Sequence, residues 1–141
     1  MSAPAAESSA WVVDASVAAK WFRPPETEPE SALARDAIGQ LAMRITSLTL
    51  YEIGNLLTRE AGRGAAQVGA ALDLLVEMCG DPVPLLPGDY GVSAQLARAH
   101  GLTFYDASYV AIANRIGRRV LSADGDLLGP GLAVDLKAAL G

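Results

Sequence analysis

A chain of 141 residues with 51% hydrophobic content has the length of one domain and enough apolar material for a single large core. Its apolar stretches, Val68 to Met78 among them, are broken by charges and fall short of the ~18 residues that a membrane span needs, which excludes a transmembrane helix. A net charge of -5 excludes an open basic surface gripping nucleic acid by counterion release, so a phosphate ligand would need metal ions or clustered arginines.

Met1 to Ala10 (MSAPAAESSA) has neither a basic start nor an apolar run. It reads as a flexible extension before a domain of residues 11–141, without the build of a secretory signal, so a cytoplasmic location is expected. Trp11 to Val13 is short, apolar and β-branched, hence a strand, and Asp14-Ala-Ser16 opens a helical stretch through Val17 and Trp21. The proline-rich segment Arg23 to Pro29 is a loop; Ser31 to Leu41 has the helical spacing Leu33, Ala37, Leu41, and Arg44 to Leu48 reads as a strand.

The spacing predicts a helix over Thr49 to Gly62, with Leu50, Ile53 and Leu57 on one face and Glu52, Asn55 and Arg59 on the other. Gly64 to Cys79 is a further helix, and its lone cysteine, which cannot form an internal disulfide, reads as a small buried hydrophobe. Val83 to Leu86, between prolines, suggests a strand, and Asp89 to His100 a helix stopped by Gly101. Thr103 opens a helix whose Tyr109, Ile112 and Ile116 make a buried stripe. After it come a strand at Arg119 to Ala123, a turn at Asp124-Gly125-Asp126 and a last short strand at Ala133 to Leu136.

Short strands alternating with helices imply an α/β fold, a single domain with a parallel twisted sheet of about four to five strands between helices. Ligands of such sheets bind beyond the carboxyl ends of the strands. Asp14 and Asp124 follow strands directly, and Glu52 and Asp106 fall in the first turns of helices. Each acid has an ordinary explanation: Thr49-x-x-Glu52 and Thr103-x-x-Asp106 fit capping boxes, Asp14 fits a helix cap, and Asp124-Gly125 fits a turn. Taken together, four carboxylates suit a hard cation such as Mg²⁺. Zinc is disfavoured, because His100 has no second histidine or cysteine cluster near it and reads as a solvated residue at a helix end.

Four segments also resemble one family in the right order and spacing. Trp11-Val-Val-Asp14-Ala-Ser16-Val-Ala-Ala-Lys-Trp-Phe22 resembles the opening motif of PIN-domain toxins of the VapC type, and Tyr51-Glu52-Ile-Gly-Asn55-Leu56-Leu57 the second motif. Phe104-Tyr105-Asp106-Ala107-Ser-Tyr109-Val-Ala-Ile-Ala113 resembles the third, and Leu121-Ser-Ala-Asp124-Gly-Asp126-Leu127 the fourth. The resemblance implies that Asp14, Glu52, Asp106 and Asp124 form a catalytic site holding Mg²⁺ or Mn²⁺, with Ser16 a polar neighbour and Asp126 an additional acid. It further implies hydrolysis of RNA, a cognate antitoxin, a homodimer and a PIN-like fold.

Asn55 and Arg59 are placed to support Glu52 or to touch RNA phosphate, and Arg115, Arg118 and Arg119 form an arginine cluster that could contact RNA or a partner; a solvated surface explains all of them as well. Lys20 stands equally open. Trp21 reads as core in preference to a base-stacking residue. A receiver domain would need an acidic pair after the first strand, and a haloacid-dehalogenase-like phosphatase would need Asp-x-Asp where this chain has Asp14-Ala15-Ser16. A PIN-like fold acting only by partner binding is the remaining rival.

Overall fold

The computed structural model describes residues 10–24 and 26–141. The flexible extension expected at the start lies outside the described residues except for Ala10, which is buried. Strand β1 (Trp11–Val13) leads through α1 (Ala15–Ala18) and a 3₁₀ turn (Ala19–Phe22) to α2 (Glu30–Gln40) and β2 (Met43–Arg44). Helices α3 (Ser47–Arg59), α4 (Ala65–Cys79), α5 (Pro87–His100) and α6 (Phe104–Arg115) follow. The chain closes with β3 (Arg119–Leu121), α7 (Gly125–Leu128), β4 (Ala133–Val134) and α8 (Leu136–Leu140).

All four strands are parallel, in the order β2-β1-β3-β4. Side chains alternate across a strand, and the register aligns Val12 with Val120 and Val13 with Leu121. Val12 and Val120 therefore pack on one face with Tyr109, Val110 and Ala113 of α6. Val13 and Leu121 pack on the other with Val17, Trp21, Ile53 and Leu57. A sheet buried on both faces explains why its strands read as continuous apolar runs. Trp21 is core as expected, its indole N–H donating to the Ala34 carbonyl at 2.7 Å. Cys79 is buried, and burial pushes its thiol up to about 11. Among the described residues, no helix is long and apolar enough to cross a membrane.

Several boundaries differ from the sequence expectation. The helix carrying Glu52 starts at Ser47, two residues earlier than Thr49, because Thr46 and Thr49 form the capping box. The Thr49 N–H donates to the Thr46 hydroxyl at 3.3 Å and the Thr46 N–H to the Thr49 hydroxyl at 3.1 Å. Glu52 thus stands in the second turn and caps nothing. The segment Val83 to Leu86 is no strand: only Val83 bridges, its N–H donating to Ile45 at 2.9 Å. Pro82 and Pro84 on either side have no N–H to extend the ladder. Asp124 opens a helix, where a bare turn was expected.

Because β2 and β3 flank β1 on opposite sides, the chain reverses direction across the sheet at β1, and such a switch point opens a crevice at the carboxyl ends of the strands. Asp14 stands at that edge immediately after β1, and Ser122 immediately after β3.

Candidate active site

Asp14 is buried at the head of α1, accepting the Val17 N–H at 3.2 Å as the helix cap. Its two oxygens are each held by a serine: Ser16 donates to Oδ1 at 2.6 Å, and Ser122 donates to Oδ2. Each serine also accepts a backbone N–H, Ser16 from Ala123 at 2.8 Å and Ser122 from Asp124 at 2.9 Å. This network fastens the loop after β1 to the loop after β3 and fixes Asp14 with both carboxylate oxygens aimed. Burial holds its carboxyl above the usual range, against the lowering pull of the Ser122, Ser16 and Val17 hydrogen bonds.

Glu52 comes in from α3, half-buried, and accepts a hydrogen bond from the Tyr109 hydroxyl at 3.0 Å. Burial raises its carboxyl, the Tyr109 bond opposes this, and the charges of Asp106, Asp14 and Asp124 add to it. Asp106 lies in the first turn of α6, where the Thr103 hydroxyl accepts its N–H at 3.1 Å. Its carboxyl is pushed up to about 6 by burial, then by the charges of Asp124 and Asp14. Asp124 caps α7 by accepting the Asp126 N–H at 2.9 Å. Carboxylate oxygens of Asp106, Asp124 and Asp126 lie within 4.8 Å of one another.

The structure therefore brings Asp14, Glu52, Asp106 and Asp124 into one crevice with Ser16, and adds Asp126 at its exposed rim. Asn55 and Arg59 are exposed on α3, one and two turns beyond Glu52. Arg115 is not available to RNA at this site. It sits at the far end of α6, and its Nε donates to both oxygens of the buried Asp89 at 3.1 and 2.9 Å. Its Nη2 donates to the Pro84 carbonyl at 2.7 Å. Arg119 begins β3 and lies 5.3 Å over the Trp11 ring, so the expected arginine cluster belongs to the amino edge of the sheet, opposite the acids. Lys20 is buried between Glu28 and Glu30.

Three residues at the site escaped sequence reasoning. Ser122 is joined to Asp14 across 108 positions; the strand expected over Arg119 to Ala123 ends at Leu121, which frees Ser122 to turn toward Asp14. Tyr109 was read as core only; its spacing from Asp106, one helical turn, sends its hydroxyl to the same crevice. Arg23, in the proline-rich loop, lines a shallow groove with Ser16 and Glu52 and leans on Glu28 at 3.5 Å.

A buried parallel sheet that gathers carboxylates from four separate segments at its switch point defines an α/β domain with an acidic crevice. Residues 11–129 match the PIN domain family. Ribonuclease VapC3 of Pyrobaculum aerophilum is 35% identical over 121 residues, covering 82% of this chain and 90% of that protein. The crystal structure of PAE2754 from Pyrobaculum aerophilum superposes with a TM-score of 0.69 at 28% identity, covering 96% of this chain and 89% of that one. VapC20 of Mycobacterium tuberculosis, a toxin that cleaves the sarcin-ricin loop, gives a TM-score of 0.71 at 18% identity over 89% of this chain and 97% of its own, a likeness of fold. The chain belongs to the PIN-domain family, among its VapC-type ribonucleases.

Proposed function

We propose that Asp14, Glu52, Asp106 and Asp124, with Asp126 as an additional acid, hold Mg²⁺ or Mn²⁺ and cut RNA within the strand, and that the chain is a toxin restrained by a cognate antitoxin. The observation that carries this reading is the convergence of carboxylates from four segments on one crevice. The donor set fits such an ion, since carboxylate oxygens suit a hard cation, and these carboxyls, raised by burial first and by one another's charge second, would be stabilised in their ionised form by one. When bound, the cation supplies activation of water and offsets negative charge on the phosphate.

The chain's own groups do the positioning. Ser16 and Ser122 fix the orientation of Asp14, and Tyr109 that of Glu52, as outer partners of ligands generally do. Asp106, whose carboxyl is pushed up to about 6 by burial and by its acidic neighbours, would have to give up its proton to hold the cation. Attack by water needs no ribose 2′-hydroxyl, so the expected products carry a 5′-phosphate and a 3′-hydroxyl. A homodimer and the antitoxin complete the reading, both from the family resemblance.

Incubation of a circular RNA with purified protein tests it. Linear product should form with Mg²⁺ or Mn²⁺ and vanish with chelator. Cleavage that persists in chelator rejects the metal; failure to open the circle while linear RNA is trimmed makes the enzyme an exonuclease. Expression alone should slow growth, and harmless expression of nuclease-active protein would reject the toxin role.

A further inference from the structure

The helical stretch after β1 carries Ser16, Ala19 and Arg23 at helical spacing, so the three share one face. Opposite it, α3 presents Glu52 and, one turn on, Leu56. These five side chains line an open groove of about 260 Å³. It begins at the acids, because Glu52 is one of its walls and Ser16 donates to Asp14 Oδ1 at 2.6 Å. Arg23 stands at the far end, where Arg63, just past α3, donates to the Phe22 carbonyl at 3.4 Å. The rise of a helical turn puts its backbone about 10–14 Å beyond that of Ser16, a gap that an arginine side chain can shorten.

Arg23 is held in place and yet poorly used by the fold. Its carbonyl accepts from Arg35 Nη2 of α2 at 2.9 Å, which fastens the backbone. Buried Lys20 takes one oxygen of Glu28, and the other oxygen meets Arg23 Nη1 only at 3.5 Å. The Nε of Arg23 is buried and meets no acceptor among the described residues, while the side chain as a whole is 42% exposed. Other arginines are spoken for: Arg115 makes bonds of 2.7 to 3.1 Å to Asp89 and Pro84, and Arg63 Nε donates to Glu60 at 2.6 Å. A guanidinium is a planar fork of five N–H donors whose geometry matches phosphate. One long contact leaves most of that fork for an anion, and Arg23 is the cation among the groove's described walls.

We propose that Arg23 binds the RNA backbone, its guanidinium taking the phosphate next to the one that is cut while the latter lies at the acids. The inference rests on the ribonuclease reading. In a chain of net charge -5, a single arginine placed on a groove that opens from Glu52 and Ser16 gives the strand a direction of approach without a basic surface. Arg23 therefore contributes affinity and register and no base preference, and Glu28, itself held by Lys20, is the residue that positions it.

The test measures binding of a fluorescent single-stranded RNA by anisotropy in the Asp14→Asn background, where the RNA stays whole, over a series of salt concentrations. Arg23→Ala should weaken binding by about tenfold and lower the slope of log affinity against log salt by about 0.7, the share of one phosphate contact to a single strand. Arg23→Lys, which keeps the charge, should restore the slope and part of the affinity. A set of oligonucleotides with one phosphate each replaced by a neutral methylphosphonate then locates the contact. At one position the replacement should cost the Asp14→Asn protein the same factor and cost the Arg23→Ala double variant nothing further. Unchanged affinity and slope overturn the proposal, as do losses that add at every phosphate. So does a slope unchanged in both Arg23 variants with their melting temperatures lowered, which makes Arg23 a structural residue. RNA affinity intact while Arg23→Ala releases a co-expressed protein partner assigns the arginine to that partner and overturns it too. Cleavage of the same RNA by the unsubstituted protein is scored separately, so failure of the ribonuclease reading is seen apart from failure of the Arg23 contact.

Discussion

The two edges of the sheet carry opposite charge in opposite states. At the carboxyl edge, acids are pressed together so that burial and mutual repulsion raise Asp14, Glu52 and Asp106. Toward the amino edge, cations have partners: exposed Arg119 lies over Trp11, and Arg115, at the end of α6, is paired with a buried Asp89 and the Pro84 carbonyl. One end holds crowded like charge, while the other pairs its charge within the fold. Concentrated like charge with aimed oxygens marks the working end, and paired charge marks a joint.

Substitutions at the two ends should therefore fail in different ways. The largest effect is expected for Asp14→Asn, which should lower metal-dependent RNA cleavage by on the order of a thousandfold. Asparagine keeps the helix cap but offers one acceptor where Ser16 and Ser122 each find one, so the melting temperature without metal should fall modestly while the protein stays folded. Equal cleavage rates for the variant and the original would break the comparison outright. Ser122→Ala removes a hydrogen bond that aims Asp14 and should cost roughly ten- to a hundredfold in activity, with part of the loss recovered at higher Mg²⁺. A rate insensitive to Ser122→Ala would mean that Asp14 needs no aiming.

At the paired end the pattern should invert. Arg115→Ala leaves Asp89 buried without its charged partner and should destabilise the fold by about 1–3 kcal/mol, measured by denaturant melts, with kcat/KM for RNA unchanged. A loss of activity with no loss of stability would return Arg115 to the RNA.

The smallest effect is a pH trend. A carboxyl whose folded pKa is raised costs stability above its unfolded value, and the cost fades as pH falls through the folded value. For Asp106 that window runs from about 6 down toward its ordinary 3.8, with Glu52 acting in the same direction. Protein in chelator should gain stability from these groups as pH falls from about 6 toward 4, and Mg²⁺ should flatten the gain. A steady loss of stability over that window in the wild type, absent from Asp106→Asn, would contradict the raised carboxyls.

The sheet, its parallel order and Asp14 directly after β1 were legible because short apolar runs alternate with helical spacing and a strand end followed by an acid is a local signal, whereas the strand before Asp124 ends at Leu121 and not at the expected Ala123. The register of the Glu52 helix was not: Thr46, Thr49 and Glu52 are spaced so that two capping boxes fit, and the reciprocal Thr46–Thr49 bonds, with the Thr49 hydroxyl also reaching the Val13 carbonyl at 3.2 Å across 36 positions, show which one is used. Arg115 looked free because Asp89 is 26 positions away. The Ser122 bond to Asp14 hid for the same reason, being made by topology and not by spacing.

Glu52 is the residue on which the central claim turns, since it takes no part in the cap of α3 and its only described tie is to Tyr109. The most direct measurement is a set of thermal melts of wild type and Glu52→Gln, each with chelator and with Mg²⁺. Neutralising one of several crowded carboxylates should leave the chelated variant melting no lower than the chelated wild type, while Mg²⁺ should raise the wild type by mass action and the variant far less. A Glu52→Gln protein that melts lower in chelator yet keeps the full Mg²⁺ shift would show that Glu52 serves the fold and that the cation, if bound, is held without it.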